Sequence, residues 1–131
     1  MSDQTEIDKW FFDPASGNDW QDMDYILAEI DLLPRLKVFL DDGRGSTEKK
    51  SIVILALLEI LKHDFSYDGG IEAIRRADDI KKTIRLHIDA ARNAMSEAGP
   101  VQEAALRIIL GLPLPPDCPQ CVVDQAKTFG A

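Results

Sequence analysis

The residues of this chain best suited to chemistry are Cys118 and Cys121, which bracket Pro119 and Gln120 in a CPQC motif. Two thiols at this spacing can contribute half of a zinc site, or form a dithiol whose first thiolate is activated at a helix N-terminus. A structural zinc site needs four ligands, and there is no second CxxC. His63 and His87 are the only histidines, so a two-cysteine, two-histidine set would use every candidate in the chain. A redox CxxC normally follows a strand in a βαβ unit, whereas this one follows the proline-rich run Leu112-Pro113-Leu114-Pro115-Pro116. The motif therefore reads first as two ordinary thiols, with metal or thiol chemistry as the runner-up, and no cofactor is expected.

Other candidates are weaker. His87 precedes Ile88 at the edge of an apolar stripe, where a neutral core histidine is the simpler reading than a ligand or proton carrier. His63 follows Glu59 by four residues, a routine side-chain pair on one helical face. Di-metal bundles use that spacing too, but they need several inward carboxylates, and the inward positions here are Ile, Leu, Ala and Met. Gly43-Arg44-Gly45-Ser46-Thr47 lacks the Lys-Ser/Thr ending of a phosphate loop and follows no strand. The pairs Asp41-Asp42 and Asp78-Asp79 stand beside helix starts or loops, where capping explains them more economically than acid–base catalysis. No catalytic set emerges.

Charge is more informative than any motif. The first 31 residues hold nine acids and one base, whereas the remaining 100 hold 14 of each, so the formal charge of −8 belongs to the N-terminal quarter. That quarter also carries Trp10, Phe11, Phe12, Trp20 and Tyr25. Acidity confined to one region steers a complementary partner, and aromatics anchor interfaces. Asp13, Asp19, Trp20, Asp22, Asp24 and Tyr25 are thus the candidate contact residues for a basic protein. Arg75, Arg76, Lys81, Lys82, Arg85 and Arg92 form the one basic cluster, diluted by Asp78, Asp79 and Asp89. It is either a solvated face or a surface for the acidic segment, in the same molecule or in the second copy of a homodimer.

These residues must be positioned by helices. The 131 residues are 45% hydrophobic and 29% charged, ordinary values for one globular domain. Residues 1–20 show no sustained period and are expected to be irregular. Met23, Ile26, Leu27, Ile30 and Leu33 make a helical stripe over 22–33, and Pro34 ends or kinks it or opens the next turn, with Leu36, Phe39 and Leu40 inward. Ser46 or Thr47 caps a helix that is apolar nearly all round from Ile52 to Leu61, hence central, and that His63-Asp64 and then Asp68-Gly69-Gly70 stop. Ile71, Ile74 and Ala77 mark a short helix. Asp78 or Asp79 then caps a long one with the stripe Ile80, Ile84, Ile88, Ala91, Met95 and Ala98. Gly99-Pro100 ends that helix and opens another with Val101, Ala104, Ala105, Ile108 and Ile109, closed by Gly111. Residues 112–131 form a proline-rich tail that adds at most one last turn.

No segment alternates as a strand does. The expectation is an all-α single domain spanning residues 1–131, with about five helices in a bundle or a short stack of antiparallel hairpins. The hairpin arrangement loosely resembles HEAT-like repeats, without fixed-period self-similarity. The longest apolar run falls short of the roughly 20 residues of a membrane helix, and the first residues lack the pattern of a signal peptide. Two cysteines without a secretory signal fit a reducing, cytoplasmic setting. A pI near 4.6 argues against nucleic-acid contact. Together these features predict a non-catalytic, acidic interaction module, such as an inhibitor or toxin-immunity protein that captures a basic partner. The alternatives are a small metal- or thiol-dependent protein using the CPQC motif, and an adaptor or chaperone subunit.

Overall fold

The computed structural model describes Phe11 and residues 33–43, 46–67 and 71–130. Among the described residues the architecture is a bundle of six α-helices with no strand. The expected helix over 22–33 lies outside them apart from Leu33, which starts the first helix instead.

That helix, α1 (Leu33–Asp41), places Pro34 in its opening turn, where the missing amide would have had no partner in any case. Leu36, Phe39 and Leu40 point into the core, as their spacing requires. Phe11 stacks on Phe39 with ring centroids 4.4 Å apart, and the Arg35 guanidinium lies 5.7 Å from the Phe39 centroid.

The second helix, α2 (Thr47–Tyr67), is the axis of the bundle. Ser46 caps it: the Lys49 amide donates to Ser46 Oγ at 3.2 Å, and the Lys50 amide donates to the Ser46 carbonyl. Every residue from Val53 to Leu61 is buried, so α2 is enclosed on all sides over this stretch. His63-Asp64 does not stop the helix. It continues through Tyr67, because neither residue removes a backbone donor.

The next boundary also moves. Instead of a short helix followed by a long one capped at Asp78 or Asp79, α3 runs unbroken over Ile71–Leu86. Asp79 turns outward to Lys37 of α1, whose Nζ lies 2.9 and 3.0 Å from its two carboxylate oxygens, so the helix passes the acidic pair without being capped by it. Ile80 and Ile84 are buried, whereas Ile71 and Ile74 face outward. The break comes at His87, after which α4 covers Ile88–Met95. This offset throws Ile88 out of the stripe and leaves it exposed, while Ala90, Ala91 and Ala94 face α2 and the core.

Gly99-Pro100 opens α5 (Pro100–Leu110) as expected: the Gly99 amide donates to Gln102 Oε1 at 3.1 Å. Gly111 closes it at φ 74°, with the Leu112 amide returning to the Arg107 carbonyl at 2.8 Å and the Gly111 amide to Ile108. The tail holds far more than a turn. Beyond the proline-rich connection, α6 spans Gln120–Gly130 and packs along α5, burying Ala126 and half-burying Val122. Its start is set by the Pro119 carbonyl, which accepts the amides of Val122 and Val123, both at 3.1 Å.

One core joins Phe11 and residues of all six helices. Leucine and isoleucine fill its centre on α1 and α2, and alanines line the contacts of α4, α5 and α6. Two buried polar groups, Ser51 and Glu59, are bonded across helices. Ser51 Oγ lies 2.8 Å from the Thr47 carbonyl and 3.2 Å from that of Ala90, and it accepts the Asn93 amide at 2.7 Å. The Glu59 carboxylate accepts from Gln102 Nε2 at 3.1 Å, linking α2 to the cap of α5.

Candidate functional site

Among the described residues, a concave feature lies where α3 gives way to α4. His87 takes a non-helical conformation, φ −116° and ψ 55°; its amide donates to the carbonyls of Thr83 and Ile84, and its own carbonyl accepts from Ala91. One residue thus ends one helix and begins the next. The imidazole is mostly buried, and its Nε2 lies 2.9 Å from Oδ1 of Asp41, the exposed last residue of α1. Beside it opens a cleft of about 260 Å³ lined by Thr47, Lys50, Leu86, His87, Ile88, Asp89 and Ala90.

An imidazole held by a carboxylate becomes a catalytic base only with a nucleophile or substrate proton in hydrogen-bond reach. Ser51, a buried hydroxyl of α2, does not line the cleft and is already engaged by Thr47, Ala90 and Asn93. The cleft is also smaller than the roughly 300–1,000 Å³ usual for small-molecule sites. We read the pair as a tie between α1 and the α3–α4 corner, which agrees with a histidine at the edge of a core.

The cysteines stand apart from this cleft in sequence. Cys118 is half-buried just before α6, its amide donating to the Pro115 carbonyl at 3.1 Å, and Cys121 is exposed in the first turn; both are free thiols. Among the described residues, no three His, Cys, Asp or Glu side chains gather as metal ligands. The His63 side chain lies outside them.

The basic cluster is spread rather than focused. Arg75 is exposed beside Glu72 at 3.9 Å, Arg85 donates to the Ile109 carbonyl at the end of α5, and Lys82 and Arg92 are exposed. Partial burial holds the Lys81 amine below its ordinary range, an effect that Asp78 opposes and Arg85 reinforces. Around these charges, Ile71, Ile74 and Leu86 leave large apolar side chains exposed on α3.

The acidic and aromatic contact candidates, Asp13, Asp19, Trp20, Asp22, Asp24 and Tyr25, all lie outside the described residues. Their described flanks are Phe11 and Leu33, both buried against α1 or within it. The His87 cleft was not visible in the sequence, because it joins the start of α2 to residues near 87. Comparison with family models, with curated proteins and with solved structures found no match.

Proposed function

We propose that this chain is a non-catalytic protein–protein interaction module, a cytoplasmic inhibitor of the toxin-immunity kind, whose acidic-aromatic N-terminal quarter captures a basic protein partner. One observation carries this reading: the whole formal charge of −8 falls in the first 31 residues, on a body of 100 residues whose charges cancel. Charge so segregated raises the rate at which a basic surface is encountered, up to about 10⁸–10⁹ M⁻¹s⁻¹ at low salt. Phe11 supports it, since its stack on Phe39 fixes the chain at a point two residues before Asp13 to the bundle.

The test begins with pull-down from the source cell at low and high salt and identification of what elutes. Association with that protein should then slow as salt rises, and Asp19→Asn, Asp22→Asn and Asp24→Asn together should reproduce the slowing at low salt. Trp20→Ala or Tyr25→Ala should instead speed dissociation. Association unchanged by the three Asp replacements at low salt would reduce the acidic quarter to a solubilising surface. Melting temperatures on each variant distinguish a lost contact from a weakened fold.

A further inference from the structure

We propose that the CPQC segment is a reversible dithiol–disulfide site that reacts with small disulfides of the glutathione class. The inference is independent of partner capture and rests on how two turns present the two thiols. The Cys118 amide closes a turn on the Pro115 carbonyl, and the Pro119 carbonyl starts α6 by accepting from Val122 and Val123. Cys118 thus stands at the end of one turn and Cys121 inside the next.

Along the chain only Pro119 and Gln120 separate the Cβ atoms of Cys118 and Cys121. A disulfide brings them to about 3.5–4.5 Å. The adjustment falls on the exposed Pro119 and Gln120 and on the turn that starts α6. The ring closed is only four residues long and restricts little of the unfolded chain. Closing or opening it therefore leaves the bundle nearly unchanged, as reversibility requires. No third cysteine competes for either thiol, and among the described residues no cluster of metal ligands includes them.

Exposure sets the order of events. The accessible Cys121 thiolate attacks one sulfur of glutathione disulfide, its S–S bond breaks, and one glutathione leaves as a thiolate that takes up the proton Cys121 lost. The half-buried Cys118 then attacks Cys121 Sγ in the mixed disulfide and displaces the second glutathione. Two protein thiols are oxidised to one disulfide, and one glutathione disulfide is reduced to two glutathiones.

The reduced full chain is incubated with glutathione disulfide at mildly alkaline pH, quenched with acid and weighed by intact-mass spectrometry. The expected product lacks two hydrogens, carries no glutathione, and returns to the starting mass with reduced glutathione. Cys118→Ser should stall with glutathione on Cys121, whereas Cys121→Ser should take it up several-fold more slowly. The double serine variant should melt with the parent and gain no mass. Lasting glutathione adducts on the parent, disulfide-linked dimers, or no reaction in excess oxidant would each overturn the proposal. None of these outcomes bears on partner capture, which is read from association rates.

Discussion

Leu58 offers the most direct measure of how far the bundle depends on α2. It is 1% exposed within a stretch buried from Val53 to Leu61. Leu58→Ala removes three carbons, which at about 0.8 kcal/mol each forfeits about 2.4 kcal/mol of transfer free energy. Neighbours on an enclosed helix cannot all move inward. A residual cavity of about 50 Å³ adds about 1.2 kcal/mol at about 24 cal/mol per Å³. The expected loss is therefore about 3–4 kcal/mol, a large share of the roughly 5–15 kcal/mol by which such domains are stable. Urea unfolding followed by circular dichroism should show the midpoint falling with the slope unchanged, and thermal melting should fall by roughly 10 °C. Leu55→Ala should behave alike, while Val38→Ala, at a site 50% exposed, should change stability by about 0.5 kcal/mol or less. A loss below about 1 kcal/mol at both leucines would show that α2 is not the axis.

Three further outcomes follow from local geometry. Gly111→Ala meets no atom within 4 Å of the new Cβ, so its penalty is that of the left-handed backbone alone, about 1–2 kcal/mol by calorimetry; a neutral result would refute the helix stop at Gly111. Gln102→Ala removes both the cap on Gly99 and the bond to the buried Glu59, and denaturant unfolding should register about 1–3 kcal/mol. If Glu59→Ala with Gln102→Ala is strictly additive, the two side chains are not coupled. Burial disfavours the Lys81 ammonium, so the fold holds that proton less tightly than the unfolded chain does, and stability from this group rises as pH climbs from its lowered value toward 10.5. The pH–rate midpoint for acylation of Lys81, followed by peptide mass spectrometry, should lie below 10.5, and a midpoint at or above it would contradict the burial effect.

Where local chemistry decides an element, the residues declared it. Ser46 as a cap, the apolar run of α2, Gly99-Pro100 and Gly111 each act through their own backbone or side chain, and each stands where the pattern put it. The misplaced boundaries have tertiary causes. Asp78-Asp79 has the composition of a cap, yet Lys37, 42 residues away, draws Asp79 outward and α3 passes through. His87 is neither glycine nor proline, but Asp41 holds its ring where the helices part. The signal for α6 was Val122, Ala126 and Phe129 at helical spacing behind Pro119, overshadowed by the prolines before it. The cleft beside His87 was illegible for a different reason: it exists only once α2 and α4 lie together.

The alanines lining α4 carry a consequence for how this sequence can drift. With Ser51 of α2 only 3.2 Å from the Ala90 carbonyl, the two backbones pass close to one another. At Ala91 and Ala94, both fully buried, a longer side chain overfills the core and would force the pair apart, typically at about 1–3 kcal/mol or more. Glycine, the one smaller choice, forfeits about 1 kcal/mol of helix propensity at each site. These positions are bounded from both sides, whereas the leucines of α2 can shrink by degrees, each step exacting a graded loss. A library of folded variants would therefore accumulate diversity among the large core residues and stay almost invariant at the small ones. The least conspicuous side chains in the chain are the ones with the least freedom to change.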